Sequence, residues 1–376
     1  MNKKSTIFCF TDIHNQQAML DMPTTLRASA VCAAKDAVAE FGQADLSLCG
    51  GDNISDYPYW NRSCWLPQEN FLAIKKKLTD CLAATAKGGR VLYVAGNNDM
   101  ILGDIVRGEG RPYNTTEFYY TGPMKDTLGP LAPTECYTVT STEKPWEHPY
   151  LDAFHYVVNG LDFIGINVDP NTAYNTHEGY YTDETMDWVK RKLDEIDPDG
   201  YRPVFVVGHL SAACYCDGNL RESMINGDRE RFYRAFDGHR NLFYLCGHIH
   251  GEGYVYRDYS SGAVLHLGAD HLPLGPNTAA TDSAGLPDYA YSLVHMGGLR
   301  PFHAENFEDD ALTGFGGGDT ETRFPSTGTP KLAQYMVFEV YADRVVFYIR
   351  NTGSLPGYSR ADRPAPYTVY LRKPRT

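Results

Sequence analysis

The sequence lacks two features that would direct the protein to a membrane or to nucleic acid. No stretch approaches the ~20 consecutive apolar residues that span a bilayer. Basic side chains are also in deficit, because 34 Lys and Arg stand against 47 Asp and Glu for a formal net charge of −13. Charge-driven binding of nucleic acid or anionic lipid needs a basic surface. We therefore expect no nucleic-acid or membrane partner, and a phosphorylated ligand would need a local positive centre such as a bound metal.

Cysteine is present, but it lacks the spacing of a disulfide framework or of a zinc knuckle. The nine cysteines are an odd number, and Cys9, Cys49 and Cys246 lie within apolar, strand-like runs. Cys214 and Cys216 form C-Y-C rather than CxxC, and no second pair completes a zinc-binding spacing. This usage is typical of buried thiols in a reducing compartment, so we predict a cytoplasmic protein.

Five short apolar runs alternate with helix-like segments. The runs cover residues 7–10, 46–49, 91–94, 204–207 and 242–246. Apolar residues recur at helical spacing over 25–41, 69–86, 183–195 and 228–236, and Thr182 is a capping residue before the third of these segments. Buried strands that alternate with helices imply crossover connections, so we predict an α/β fold with a largely parallel sheet.

The length allows one large domain or two ordinary ones, and we predict a single domain over residues 1–376 because no linker divides the chain. Hydrophobic residues make up 43% of the chain and charged residues 22%, and neither an internal repeat nor a linker is visible. We expect further strands at 153–158, 161–168, 253–257 and 263–267, and a C-terminal strand pair within 334–350. Residues 104–150 and 269–331 are rich in Gly, Pro, Thr and aromatic side chains, so we expect insertions or lid loops there.

Each apolar run is followed by side chains that can bind a metal. In order, the runs lead to Asp12 and His14, to Asp52, to Asn97, Asn98 and Asp99, to His209, and to His248 and His250. Any one of these residues alone is explained by turn chemistry or by a satisfied core position. Together they are not, because the carboxyl ends of parallel strands converge at one edge of a sheet, where ligands bind.

The spacing of these residues suits one or two adjacent ions. Asp12 and His14, like His248 and His250, are two residues apart, so in extended chain they project to the same side. Asp52 can bridge two ions through its two oxygens. Carboxylate, amide and imidazole ligands favour Mn²⁺, Fe or Zn²⁺ over Ca²⁺. Two such ions roughly 3.5 to 4 Å apart would bind a phosphoryl group and generate hydroxide near neutral pH.

The order D-x-H, G-D, G-N-x-D, G-H and G-H-x-H resembles that of the calcineurin-like metallophosphoesterases, and the motifs span residues 12 to 250, about two thirds of the chain. The resemblance implies a metallo-dependent phosphatase-like fold of the α/β (α+β) class. That fold is a four-layer αββα sandwich of two mixed sheets flanked by helices. The resemblance further implies two metal sites, with Asp12, His14 and His250 on one ion, Asp52 between both, and Asn97, His209 and His248 on the second.

Asn98 departs from the pattern of the family. The family usually has His at this position, with the following acid, here Asp99, orienting it. An amide donates a hydrogen bond but cannot act as a proton-transfer acid at ordinary pH. We predict Asn98 and Asp99 as catalytic residues, and we therefore expect a substrate with an acidic leaving group or a replacement acid. His271 and His303 in the insertions, and His177 outside them, are candidates for that acid.

The function predicted from these residues is hydrolysis of a phosphomonoester, phosphodiester or phosphoanhydride in a small molecule. The nucleophile would be metal-bound hydroxide at a dinuclear centre. The alternative is a non-catalytic metal-binding scaffold or interaction protein of the same fold, which Asn98 favours and the apparently complete ligand set disfavours. A nuclease is a third hypothesis, but the net charge of −13 offers no evident track for a phosphate backbone.

Overall fold

The secondary structure begins and ends close to the predicted boundaries. The computed structural model describes residues 3–13, 26, 28–53, 68–99, 133–139, 150–168, 181–210, 214–216, 219–221, 229–248, 264–268, 289–299, 333–352 and 366–374. The four α-helices of these ranges are α1 (Ala28–Phe41), α2 (Gln68–Ala83), α3 (Asp183–Ile196) and α4 (Arg229–Arg234). Thr182 caps α3 as predicted, because its hydroxyl accepts a hydrogen bond from the Thr185 N–H at 3.2 Å.

The described strands form two large sheets and one small hairpin. In chain order they are β1 (Ser5–Phe10), β2 (Leu46–Gly50), β3 (Val91–Val94), β4 (Glu135–Val139), β5 (Tyr150–Val158), β6 (Leu161–Ile166), β7 (Val204–Val207), β8 (Cys214–Cys216), β9 (Asn219–Arg221), β10 (Leu242–Cys246), β11 (Val264–Gly268), β12 (Tyr289–His295), β13 (Gln334–Val340), β14 (Arg344–Asn351) and β15 (Tyr367–Tyr370). The first sheet has the order β15-β14-β13-β1-β2-β3, and the second has the order β11-β12-β10-β7-β6-β5-β4.

Both large sheets are mixed. In the first sheet β1, β2 and β3 are parallel, while β13, β14 and β15 continue it in antiparallel pairs. In the second sheet β6, β7, β10 and β12 are parallel, and β4, β5 and β11 pair antiparallel at its two sides. The two mixed sheets that the resemblance implies are therefore confirmed, and the largely parallel arrangement expected from the buried runs holds only for part of each sheet. The buried runs form one parallel group in each sheet. Antiparallel strands extend both groups, and the two sheets stack face to face.

Two strands lie in ranges where we expected insertions or lid loops. β4 lies within 104–150, and β12 lies within 269–331. β12 is buried along its whole length because β10 and β11 pair with its two sides. These stretches belong to the sheet, and the remainder of both ranges lies mainly outside the described residues, as does the strand predicted at 253–257. The C-terminal strand pair forms β13 and β14 beside β1, and β15 was not predicted.

The two sheets pack against each other through aromatic side chains. Phe205 of β7 stacks on Phe163 and Phe243, its neighbours in the second sheet, with ring centroids 5.2 and 5.3 Å apart. Across the interface its ring also stacks on Phe338 of β13 at 5.0 Å. Because such a ring buries a large apolar area from both sheets, Phe205 lies at the centre of the inter-sheet core.

The helices cover the outer faces of the two sheets. Ala30, Ala33 and Ala37 recur at helical spacing on α1 and bury the outer face of the first sheet. Val189 and Leu193 of α3 belong to a separate core on the outer face of the second sheet. The order of layers is therefore helix, sheet, sheet, helix, which confirms the four-layer αββα sandwich. No helix of the described ranges is long and apolar enough to cross a membrane.

Replacing Phe205 with alanine is expected to lower the free energy of unfolding by about 3–5 kcal/mol, because the cavity would open between the two sheets. Urea unfolding followed by circular dichroism measures this loss. Val157→Ala is the control, since Val157 is 43% exposed and its truncation should cost about 0.5 kcal/mol or less. Equal losses for the two variants would contradict this description of the core.

Candidate metal centre

The carboxyl ends of strands from both sheets meet at one place. Asp12 follows β1 in the first sheet, and its two carboxylate oxygens each accept a hydrogen bond from the His248 N–H at 3.0 Å. His248 follows β10 in the second sheet. His209, which follows β7, donates from Nδ1 to the Gly50 carbonyl oxygen of β2 at 2.9 Å. These contacts join the two sheets at the edge where the sequence placed its candidate ligands.

Three of the candidate ligands lie close enough to surround one ion. Asp52 Oδ2 is 3.1 Å from His209 Nε2, and His209 Nε2 is 3.3 Å from His248 Nδ1. One potential ligand atom from each of these residues lies within 4.8 Å of the other two. Carboxylate and imidazole atoms at this spacing fit bonds of about 2.0–2.2 Å to a common metal such as Zn²⁺. The donor set therefore fits a divalent cation.

The backbone at these residues adopts a conformation that is uncommon outside glycine. Four non-glycine residues of the described ranges have positive φ, and three of them are Asp12 (φ 50°), Asp52 (φ 49°) and His248 (φ 73°). Left-handed conformations are sparsely populated by residues with a Cβ, although Asp and His tolerate them better than most. Their concentration at this edge indicates that the fold holds these side chains in fixed directions.

Glycine is required beside two of the ligands. A Cβ at Gly51, which has φ 95°, would lie 2.5 Å from His209 Nδ1. A Cβ at Gly96 would overlap Asp52 and lie 2.8 Å from Cδ2 of His209. The G-D and G-N motifs therefore have a steric reason, because the backbone of each glycine packs directly against the ligand side chains.

The tautomer of His209 is fixed by its backbone partner. A carbonyl oxygen only accepts hydrogen bonds, so the bond to Gly50 requires the proton of His209 to be on Nδ1. In the neutral ring Nε2 then carries the lone pair, and it faces Asp52. Such a partner on the second nitrogen orients a metal-binding histidine and makes it a better ligand.

Burial and mutual charge shift the pKa values of the site. Burial raises the pKa of Asp12 to about 7, and the nearby Asp52 carboxylate adds to the rise while His209 opposes it. Burial alone would lower the pKa of His209, but Asp52 more than offsets this and raises it to about 9. Burial and the neighbouring His209 lower the pKa of His248 to about 4. Near neutral pH, His209 is therefore protonated beside Asp52. His248 is neutral, so its lone pair can bind a cation.

No family model matches the sequence, and no curated protein matches it. Among solved structures, the chain is similar to a dimetal phosphatase from Danio rerio, with a TM-score of 0.52 and 11% sequence identity. The alignment covers 99% of this chain and 100% of the zebrafish chain. The chain has the calcineurin-like metallophosphoesterase fold.

Two further solved structures align with lower scores. A predicted phosphoesterase from Streptococcus pneumoniae gives a TM-score of 0.30 at 10% identity, covering 98% of this chain and 99% of that one. GAP50, described as the anchor in the inner membrane complex of Plasmodium, gives 0.37 at 11% identity, covering 98% and 89%. Neither score establishes a shared fold.

Asp99 braces two loops of the phosphoesterase fold. Its carboxylate accepts hydrogen bonds from the backbone and side chain of Asn53 at 2.9 and 3.1 Å, and from the Gly96 N–H at 2.9 Å. Asn53 follows Asp52, and Gly96 precedes Asn97, so these bonds fix two predicted ligands relative to each other. These contacts are those of a positioning residue, and the catalytic role of Asp99 stays a prediction.

Three residues that support the site were not identified from the sequence. Asn53 holds Asp99, as above. The Thr11 hydroxyl lies 2.9 Å from Asp12 Oδ2 and 3.1 Å from the Gly50 carbonyl oxygen. Asn167 accepts from the Ala95 N–H at 2.8 Å and so ties the end of β3 to the second sheet. Asn167 directly follows the apolar run of β6, so a polar residue at a strand end was the available signal.

The remaining site predictions have different outcomes. Asn97 begins the 3₁₀ turn after β3, and its Oδ1 atom is buried at this edge. Asn98 lies in the same turn, and its side chain is outside what the structure describes. His14 and His250 also lie outside the described residues, as do His177, His271 and His303. Their roles at the candidate metal centre stay predictions.

Mn²⁺ binding is expected to strengthen as pH rises toward about 9, the pKa of His209. Below its pKa the imidazole is protonated on Nε2, and this proton must leave before a cation binds, so affinity should rise about tenfold per pH unit for each proton released. Calorimetric titration in buffers of different ionisation enthalpy measures both the Mn²⁺ affinity and the number of protons released. An affinity independent of pH, with no proton released, would contradict this account.

Proposed function

We propose that the protein is a metal-dependent hydrolase of phosphate esters or anhydrides. The observation that carries the proposal is the group of Asp52, His209 and His248, whose ligand atoms lie within 4.8 Å of one another where the two sheets meet. Asp52 and His209 are fully buried, and His248 is half-buried. The fold shared with a dimetal phosphatase supports the same function. The group lies at the carboxyl ends of the strands, which is the edge where α/β folds bind their ligands.

The residues of the chain have distinct roles in this proposal. Asn97, His209 and His248 would hold one cation, and Asp12 would hold a second with the predicted ligands His14 and His250. Asp52 would be shared by both cations. Divalent cations bound there would polarise a phosphoryl oxygen and lower the pKa of a water molecule. Mn²⁺, Fe and Zn²⁺ are the candidates that suit such ligands.

The protein would hold these cations in a rigid and largely buried site. Asp12, Asp52 and His209 are fully buried, which strengthens the interaction of their charges with a cation. The Gly50 carbonyl orients His209, and Asp99 holds the loops of Asp52 and Asn97 at fixed separation. Such preorganisation allows a phosphoryl group to bind without rearrangement of its ligands.

The substrate we propose is a small phosphorylated molecule with an acidic leaving group. Asn98 stands where the family has an imidazole, so the chain supplies no proton-transfer acid at that position. The leaving group of a phosphoanhydride or an activated ester departs without a proton from such an acid. The Cys9, Cys49 and Cys246 thiols are buried and not joined in disulfides, which suits the reducing cytoplasm that we propose as the compartment.

Asp52→Asn and His209→Ala are expected to lower hydrolysis of bis-p-nitrophenyl phosphate by about 10²-fold or more, because losing a direct ligand exceeds the 10–100-fold cost of losing an outer-shell partner. Initial rates with added Mn²⁺, and after EDTA treatment, measure the effect. His155→Gln is the matched control, since His155 pairs with Asp162 on the β5–β6 hairpin and should keep wild-type activity.

The non-catalytic scaffold predicts another outcome of the same measurements. It retains tight Mn²⁺ binding by the wild type but shows no turnover of p-nitrophenyl phosphate or bis-p-nitrophenyl phosphate. Asn98 is the feature that favours this second candidate, because it removes an acid that a catalyst of difficult esters needs. Bound metal without turnover of either ester would replace the hydrolase by the scaffold.

Asn98→His is expected to raise the rate on phenyl phosphate, a poor leaving-group ester, toward the ~10²–10⁴-fold that a general acid contributes. The rate on p-nitrophenyl phosphate should change little, because its leaving group needs no proton. The ratio of the two kcat/KM values isolates this effect. Asn98→Ala serves as the control, and an unchanged ratio in Asn98→His would disprove the link between Asn98 and leaving-group acidity.

A further inference from the structure

Two buried tyrosines hold the loop that carries His209. Tyr181 lies immediately before the cap of α3, and Tyr244 lies in β10. The Leu210 N–H donates to the Tyr181 hydroxyl oxygen at 3.0 Å, and the Tyr244 hydroxyl donates to the Leu210 carbonyl oxygen at 2.7 Å. The two hydroxyl oxygens are 3.1 Å apart. Both backbone groups of the residue after His209 are therefore bound by the tyrosine pair.

Only one arrangement of protons satisfies all three hydrogen bonds. Each phenol has a single proton, and that of Tyr244 is used on the Leu210 carbonyl. Tyr181 must then donate to Tyr244, while its own oxygen accepts from the Leu210 N–H. The result is a closed ring of donors in which every member gives and receives one bond. Loss of either hydroxyl breaks two of these bonds and leaves a buried Leu210 group unsatisfied.

The tyrosine pair is itself fixed by packing. Phe232 of α4 stacks on Tyr181 with ring centroids 5.8 Å apart and meets Tyr244 edge to face at 5.3 Å. Both hydroxyls also lie against Gly208, where a Cβ would be 2.5 Å from the Tyr244 oxygen and 2.6 Å from the Tyr181 oxygen. The glycine of the G-H motif is thus required by the pair that holds the next residues.

The same loop is tied to the metal centre on its other side. The His209 carbonyl accepts from the Gly247 N–H at 3.0 Å, and His209 Nδ1 donates to the Gly50 carbonyl. The direction of the His209 ring therefore depends on a backbone that is held from both sides. The tyrosines act through this backbone, because their hydroxyls bond to Leu210 and not to the ring.

We propose that Tyr181 and Tyr244 are positioning residues for the cation ligand His209. The inference rests on the proposed function, since it assumes that His209 binds a cation. It goes further by assigning a role to two residues outside the ligand motifs. Outer-shell partners of this kind typically change metal affinity about 10–100-fold when they are lost.

The test compares Tyr181→Phe and Tyr244→Phe in the full chain with Tyr291→Phe. Tyr291 is a matched control because it is buried in the same aromatic cluster, where it meets Phe236 edge to face at 4.9 Å. Calorimetric titration with Mn²⁺ should show about 10–100-fold weaker binding in Tyr181→Phe and in Tyr244→Phe, the two ring variants. Tyr291→Phe should bind Mn²⁺ like the wild type. Far-UV circular dichroism and thermal unfolding in EDTA establish that each variant is folded.

Amide hydrogen exchange without metal provides a second measurement. Opening of the loop should speed exchange of the Leu210 N–H in both ring variants and leave it unchanged in Tyr291→Phe. Folded ring variants that bind Mn²⁺ like the wild type would overturn the positioning role while leaving the proposed function intact. A wild type that binds no Mn²⁺ would overturn the proposed function itself. If one ring variant fails to fold, the other decides, since each removes a different bond to Leu210.

Discussion

The structure depends on the burial of two carboxylates where its two sheets meet. Asp12 and Asp52 are fully buried, and a buried charge is costly unless other groups or a cation compensate it. The His248 N–H, the Thr11 hydroxyl and the His209 imidazole provide part of this compensation. Because these groups come from both sheets, the same interaction closes the sandwich at this edge and forms the candidate metal centre.

The hydrophobic layers make that arrangement possible. Phe205 and its aromatic neighbours fix the distance between the sheets, so the strand ends present their polar side chains at a constant separation. Packed interiors of this kind are stiff, and they can hold residues in conformations that a loose loop would relax. The left-handed backbone of Asp12, Asp52 and His248 is held in this way.

Much of the fold and of the candidate site follows from local sequence features. Apolar runs of four to five residues located the central strands, and Thr182 located the start of α3, because side-chain periodicity and helix caps depend on near neighbours. The polar residues after those runs located Asp52, His209 and His248. Strand β12 was missed because its surroundings in 269–331 are rich in glycine and other loop-forming residues, which concealed an apolar strand of seven residues.

By itself, the sequence determined which side chains stand at the strand ends and which chemistry they can perform. Only the tertiary structure decided how the strands divide into two mixed sheets and which residues support the ligands. Asn167 reaches Ala95 across 72 positions of sequence, and the His248 N–H reaches Asp12 across 236. The hydrogen bonds among Tyr181, Tyr244 and Leu210 likewise join three separate segments. No local pattern encodes such contacts, because they depend on the path of the whole chain.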